Sequence, residues 1–165
     1  MLNDKFKIIN HKLFFFGVII IFLVAFFDLL TKRLVFAVLE NSFNKQIEVT
    51  GFFSLVEVWN SGVSFGMFHN LENSQTIFST LQLFIALILF FWLYNNQKIH
   101  FTYALSFIIG GAIGNAIDRI KNGAVADFLD FHIASYHWPA FNLADSFVFV
   151  GVAILIFDDI IFKKK

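Results

Sequence analysis

The sequence predicts an all-α membrane fold: four transmembrane helices with a small β element held outside the bilayer. Three observations carry that expectation. Of the 165 residues, 58% are hydrophobic and only 15% are charged, whereas a typical soluble domain carries about 25% charged residues. The apolar residues fall in long runs, four of which approach the ~20 residues that cross a bilayer as a helix. Between the first and second runs lies a stretch rich in β-branched and aromatic residues, a composition that suits strands. The length fits a single domain over residues 1–165.

The first span is read at about 13–30, LFFFGVIIIFLVAFFDLL. Lys5, Lys7 and Lys12 precede it, as in a cleavable signal peptide, but no small-x-small site follows, so a retained helix is expected. The segment at about 43–68 holds two short strands, 46–50 and 52–58, turning at Gly51. The second span is read at about 77–94 and the third at about 101–117. The fourth covers about 139–162, with Pro139 in its first turn, where a missing N–H does no harm. Four spans put both termini on one side. Seven basic residues fall there: Lys5, Lys7, Lys12, Lys98, Lys163, Lys164 and Lys165. Lys32, Arg33, Lys45, Arg119 and Lys121 fall on the other side, in longer segments. The positive-inside rule therefore places both termini in the cytoplasm and the β element outside.

Twelve basic and twelve acidic residues cancel, which leaves no net basic charge for nucleic acid. The chain has no cysteine, so disulfides, thiolate catalysis and cysteine-bound metal are excluded. His132 and His137 match no ligand spacing, and neither a metal nor another cofactor is expected.

The polar residues are the more informative part. Asp145 lies in the fourth span beside Asn142, although an ionised carboxylate at a helix centre costs roughly 2.5–3.5 kcal/mol on insertion scales. It is six residues past Pro139, about 9 Å along a helix axis, and so near the outer end. Asn115, Asp118 and Arg119 mark the outer end of the third span. Asp127 follows in an apolar stretch expected to be a loop dipping back toward the membrane. Asp127 and Asp145 can then face one another, share a proton and act as the two carboxylates of an aspartic peptidase. The alternative is that each acid simply pairs with a nearby Arg or Lys.

Asp28 and Lys32, spaced i,i+4, form a ready structural ion pair. Asp118 and Arg119 are adjacent and point different ways, so each needs its own partner, and Arg119 can also hold a substrate carbonyl. Gly110 and Gly114 form a G-x-x-x-G spacing that lets another helix approach closely. The segment 60–66, NSGVSFG, is either a turn only or a turn whose amides and Asn60 hold an extended peptide. Three other classes compete: a transporter with Asp28, Asp118 and Asp145 along an ion path, a serine peptidase using Ser61, Ser64 or Ser146, and an assembly scaffold. The acids gather at one end, against the first, and no G-x-S-x-G setting is present, against the second.

Taken together, five motifs resemble the lipoprotein signal peptidase (signal peptidase II) family, bacterial intramembrane aspartic peptidases. Asp28-Leu-Leu-Thr-Lys32 is similar to its D-x-x-T-K, and Asn60-Ser-Gly-Val-Ser-Phe-Gly66 to its N-x-G-x-A-F-G, with Ser64 in place of the usual alanine. Gly114-Asn-Ala-Ile-Asp-Arg119, Gly123-Ala-Val-Ala-Asp-Phe128 and Phe141-Asn-Leu-Ala-Asp-Ser146 resemble G-N-x-x-D-R, G-x-V-x-D-F and F-N-x-A-D-S. The resemblance covers nearly the whole chain. It implies a catalytic pair, Asp127 and Asp145, and a substrate site of Asn60, Gly62, Asn115, Arg119 and Asn142. Asp28, Lys32 and Asp118 become structural support, and 43–68 a cradle above the membrane. The implied substrate is a prolipoprotein whose lipobox cysteine bears diacylglycerol, cut just before that cysteine by an activated water without metal or covalent intermediate. The implied setting is the bacterial inner membrane, where the enzyme works as a monomer among lipids with its site at the extracytoplasmic face.

Overall fold

The computed structural model describes residues 10–62, 74–96 and 98–161. It is mostly helical, with four helices and a small antiparallel sheet. The helices are α1 (His11–Leu39), α2 (Ser74–Tyr94), α3 (Ile99–Asn122) and α4 (Leu143–Ile161). The strands are β1 (Gln46–Thr50), β2 (Phe53–Asn60), β3 (Val125–Ile133) and β4 (Tyr136–His137), in the order β1-β2-β3-β4. Among the described residues, α1, α2 (from Gln75) and α3 are long and apolar enough to cross a membrane. Their outer faces are apolar and open, with Phe15, Phe22, Phe84 and Phe91 all more than half exposed. Such a surface suits lipid.

α3 is the central helix and packs against each of the other three. Small residues permit this. A Cβ on Gly110 would lie 2.7 Å from Val24 of α1, and one on Gly111 2.5 Å from the Ala144 carbonyl oxygen of α4. A Cβ on Gly114 would strike Asp28 at 2.5 Å, and one on Gly151 of α4 the Ala104 oxygen of α3 at 2.6 Å. The G-x-x-x-G spacing is therefore a close-packing seam, as in other helix pairs without a hydrophobic drive between them. The two ends of the α3–α4 seam should respond differently to an added methyl. Gly151→Ala is expected to cost about 1–3 kcal/mol while keeping activity in the folded fraction. Gly111→Ala is expected to cost as much and also to lose activity, because it displaces the first turn of α4. Thermal unfolding in detergent, read beside the activity of the same preparations, separates the two.

At one end of the bundle, Phe14 of α1 packs on Tyr94 of α2, and Asp158 of α4 meets Lys98 and His100 at the start of α3. The sheet sits at the other end. Several boundaries differ from the sequence expectation. α1 runs past 30 to Leu39, because Lys32 does not end the helix in water but is buried and paired, at 3% exposure. α2 and α3 begin slightly earlier than expected, and α3 continues to Gly123, whose φ of 70° is the left-handed conformation that closes the helix. α4 does not begin at Pro139. Residues 139 and 140 belong to no regular element, and Phe141 is strapped to Leu129 of β3 by hydrogen bonds in both directions (2.8 and 3.1 Å). The helix starts after Asn142 instead.

The expected pair of strands is present as β1 and β2, but β3 and β4 extend the sheet to four. Asp127 is accordingly in β3 and not in a loop. Val58 faces Asp127 and Asn60 faces Val125, with a register shift in β2 between Leu55 and Val58. Asn60 and Asp127 are thus diagonal neighbours on one face of the sheet, the spacing at which side chains from adjacent strands meet. Ser64, Phe65 and Gly66, with the rest of the 43–68 segment beyond Gly62, lie outside the described residues.

Candidate active site

The centre is built where α1, α3, the start of α4 and strand β3 converge. Lys32 organises its rear. Its ammonium has three N–H donors, and all three are used: Asp28 Oδ2 at 2.7 Å, Asp118 Oδ2 at 2.8 Å and Asn115 Oδ1 at 2.9 Å. Asp28 and Asp118 are 0% and 5% exposed, so both carboxylates depend on this one cation. The sequence-expected pair of Asp28 and Lys32 is thus present, and Asp118 finds its partner across the α1–α3 seam. Asp28 Oδ1 also accepts the Ala144 N–H (2.9 Å), one of the donors left unpaired at the start of α4. Asp118 accepts the Ala126 N–H (3.3 Å) and so ties α3 to β3.

Lys32 also decides how Asn115 points. An ammonium can only donate, so the Asn115 oxygen must face it, and its amide nitrogen faces the other way, donating to Asp145 Oδ1 at 2.8 Å. Asn142 is the N-cap of α4. Its Oδ1 accepts the Asp145 N–H (2.9 Å), while Asp145 Oδ2 accepts the Asn142 N–H (3.2 Å), a reciprocal capping box. The Asn142 amide nitrogen then donates to Asp127 Oδ1 (2.7 Å) and to Asn115 Oδ1 (3.1 Å). Asn60 completes the set by donating to Asp127 Oδ2 at 3.0 Å, its own oxygen being held by the Gly62 N–H at 3.1 Å. Asp127 and Asp145 are therefore joined through the shared amides of Asn115 and Asn142.

Asp127 is 2% exposed. Burial first, and the neighbouring Asp145 charge second, push its carboxyl up to about 7 from 3.8, despite the opposing hydrogen bonds from Asn60 and Asn142. Near neutrality it can hold or release a proton.

Both aspartates line an open cleft of about 640 Å³, whose walls come from α2 (Phe78, Leu81, Ile85) and α4 (Val148, Phe149, Val152). Asn60, Asn115 and Arg119 line it as well. Arg119 donates to Gln82 Oε1 (2.9 Å) and reaches the Gly62 carbonyl (3.5 Å), while its buried Nε has no hydrogen-bond partner among the described residues. Gln82 is the residue that sequence reasoning left without a role. Its signal was there, as a lone amide on an otherwise apolar spanning helix. His132 and His137 stand apart on β3 and β4, stacked at 4.9 Å, with His137 paired to Asp130 at 2.8 Å. Ser146 donates to its own helix, at the Asn142 carbonyl (3.0 Å), and to no base.

Lipid-suited helices with buried carboxylates gathered at one rim and an apolar cleft beside them define a multi-pass membrane enzyme. The comparisons narrow the class. Residues 20–161 match the family described as Signal peptidase (SPase) II. The lipoprotein signal peptidase of Francisella tularensis subsp. novicida is 41% identical, over 96% of this chain and 99% of its own length. That of Anaplasma marginale is also 41% identical, over 90% of this chain and 86% of its own. Among solved structures, a bacterial membrane enzyme determined by the in meso method at 2.3 Å superposes with a TM-score of 0.75, at 28% identity over 90% of this chain and 91% of its own. The chain belongs to the signal peptidase II family and is a peptidase, a hydrolase.

Proposed function

We propose that this peptidase removes signal peptides from prolipoproteins as an intramembrane aspartic endopeptidase, cutting before a diacylglyceryl-modified cysteine. The observation that carries the reading is the pair Asp127 and Asp145, held by common asparagines at the wall of one open cleft. In this reading α4 is the fourth span, both termini are cytoplasmic, and the sheet and cleft lie at the extracytoplasmic face of a bacterial inner membrane. A lipid-modified cysteine stays at that surface, which is why the acids belong at the rim. In this reading the enzyme works as a monomer among membrane lipids.

Asp145 takes a proton from the attacking water, and protonated Asp127 donates a hydrogen bond to the scissile carbonyl as its oxygen gains charge. The asparagines hold both carboxylates in place, and Arg119, at the cleft wall, is the residue placed to hold a substrate carbonyl group. The test is a gel-shift assay with purified protein in detergent and one prolipoprotein in two forms, with and without the diacylglyceryl group. Cleavage of the modified form alone is expected. Equal processing of both forms, or of neither, sinks the proposal.

The pH profile follows from Asp127. With its carboxyl near 7, kcat/KM is expected to fall above about pH 7, close to tenfold per pH unit, as the donating proton is lost. A profile flat to about pH 9 would remove Asp127 as the proton donor. Stability carries the same sign. A carboxyl raised from 3.8 to about 7 favours the fold most below about pH 4, and that contribution is lost as the pH rises through 7.

A further inference from the structure

A second groove, of about 410 Å³, shares no lining residue with the cleft. It lies between α1 and the outer end of α3, under β2. Its chemistry changes along its length. Phe26, Leu29 and Leu30 form the part within the span of α1. Arg33, seven residues beyond Phe26 and so about 10 Å further along the helix, stands at the outer rim. Lys121, in the last turn of α3, stands on the other helix at that rim. Trp59 of β2 closes the top, its ring set edge-on to Phe36 at 5.2 Å.

The two rim cations are exposed, and neither has an ion-pair partner among the described residues. The one carboxylate lining the groove, Asp118, is already engaged by Lys32 (2.8 Å) and the Ala126 N–H (3.3 Å). Lys32 is spent on Asp28 and Asp118, so the positive charge the groove has to offer is that of Arg33 and Lys121 at its rim. The placement is not accidental. The Lys32–Asp118 contact sets the level of α1 against α3. That brings Arg33, next to Lys32, and Lys121, one turn beyond Asp118, to the same rim.

An apolar channel at acyl depth, two unpaired cations at headgroup depth and an indole at the boundary are complementary to one kind of molecule. We propose that this groove binds an anionic glycerophospholipid. Its phosphodiester sits between Arg33 and Lys121, and an acyl chain lies along Phe26, Leu29 and Leu30. A guanidinium fork matches phosphate oxygens in two bonds, and basic pockets between spanning helices recognise such headgroups. The bound lipid would brace α1 against α3 behind the Lys32 centre without entering the cleft.

The test is native mass spectrometry and thermal unfolding of the purified full chain in detergent, titrated with phosphatidylglycerol, phosphatidylcholine or inorganic phosphate. Wild type is expected to retain phosphatidylglycerol at about tenfold lower concentration than phosphatidylcholine and to unfold at a higher temperature with it. Arg33→Gln/Lys121→Gln is expected to lose that preference, while Arg33→Lys/Lys121→Arg, which keeps both charges, retains it. Equal retention of the two lipids by wild type overturns the proposal. So does an undiminished preference in the folded double glutamine variant. A stabilisation by inorganic phosphate equal to that by phosphatidylglycerol also overturns it, since the site would then read phosphate and not lipid.

Discussion

Asp127→Asn and Asp145→Asn should each leave a folded protein that cleaves modified prolipoprotein at least about a thousandfold more slowly than wild type. An asparagine at either position keeps one accepting oxygen, while its NH2 group meets an N–H donor, so each variant loses one hydrogen bond but keeps the rest of the frame around Asn115 and Asn142. What it cannot do is take or hold the proton. The two variants should differ in one respect. Asp127→Asn removes a buried group that resists ionisation, which above pH 7 offsets the lost hydrogen bond, so there it should unfold close to the wild-type temperature. The measurement is single-turnover cleavage with the unfolding temperature read on the same preparations. If either variant keeps near wild-type cleavage, the two-carboxylate mechanism is wrong.

Lys32→Met should be the most damaging single change to stability. Asp28 and Asp118 are both buried and both rely on this ammonium. Removing one partner of a buried charge cluster costs about 3–5 kcal/mol, because the remaining charges have no water to fall back on. Asn115 also loses one of the two donors that orient its amide, Asn142 being the other, so activity should fall further than the folded fraction does. Asp118→Asn should be milder, since Lys32 keeps Asp28 and Asn115. Denaturation followed by tryptophan fluorescence ranks the two. A Lys32→Met protein as stable as wild type would show that the carboxylates find another counter-ion.

Much of this centre was legible before any coordinates, and the reason differs by residue. Asp28 and Lys32 are one turn apart on one helix, so their pairing is local and readable. The glycines of α3 announced a close approach, though not that Gly111 and Gly114 would meet Ala144 and Asp28 respectively. Asp118 could be seen to need a partner, but that partner depends on how α1 and α3 are set against one another, which no local pattern carries. Asp127 was misplaced in a loop because β3 exists only through pairing with β2, more than 60 residues earlier in the chain. Pro139 was a fair helix start on local rules, yet the capping box of Asn142 and Asp145 and the strap to Leu129 prevail. Motif order carried the expectation that Asp127 and Asp145 act together, while spacing alone left the acids open to simpler pairings.

The two carboxylates belong to different parts of the molecule: Asp127 to the sheet, Asp145 to the helical bundle. They meet across a joint stitched by the Phe141–Leu129 strap and by Asn142. In the two-carboxylate reading, a compound that wedged this joint open would disarm the enzyme by parting its two acids and not by filling the cleft. Such inhibition would be insensitive to substrate concentration, and substitutions in the cleft walls other than Phe141, which belongs to both joint and cleft, would offer no escape from it.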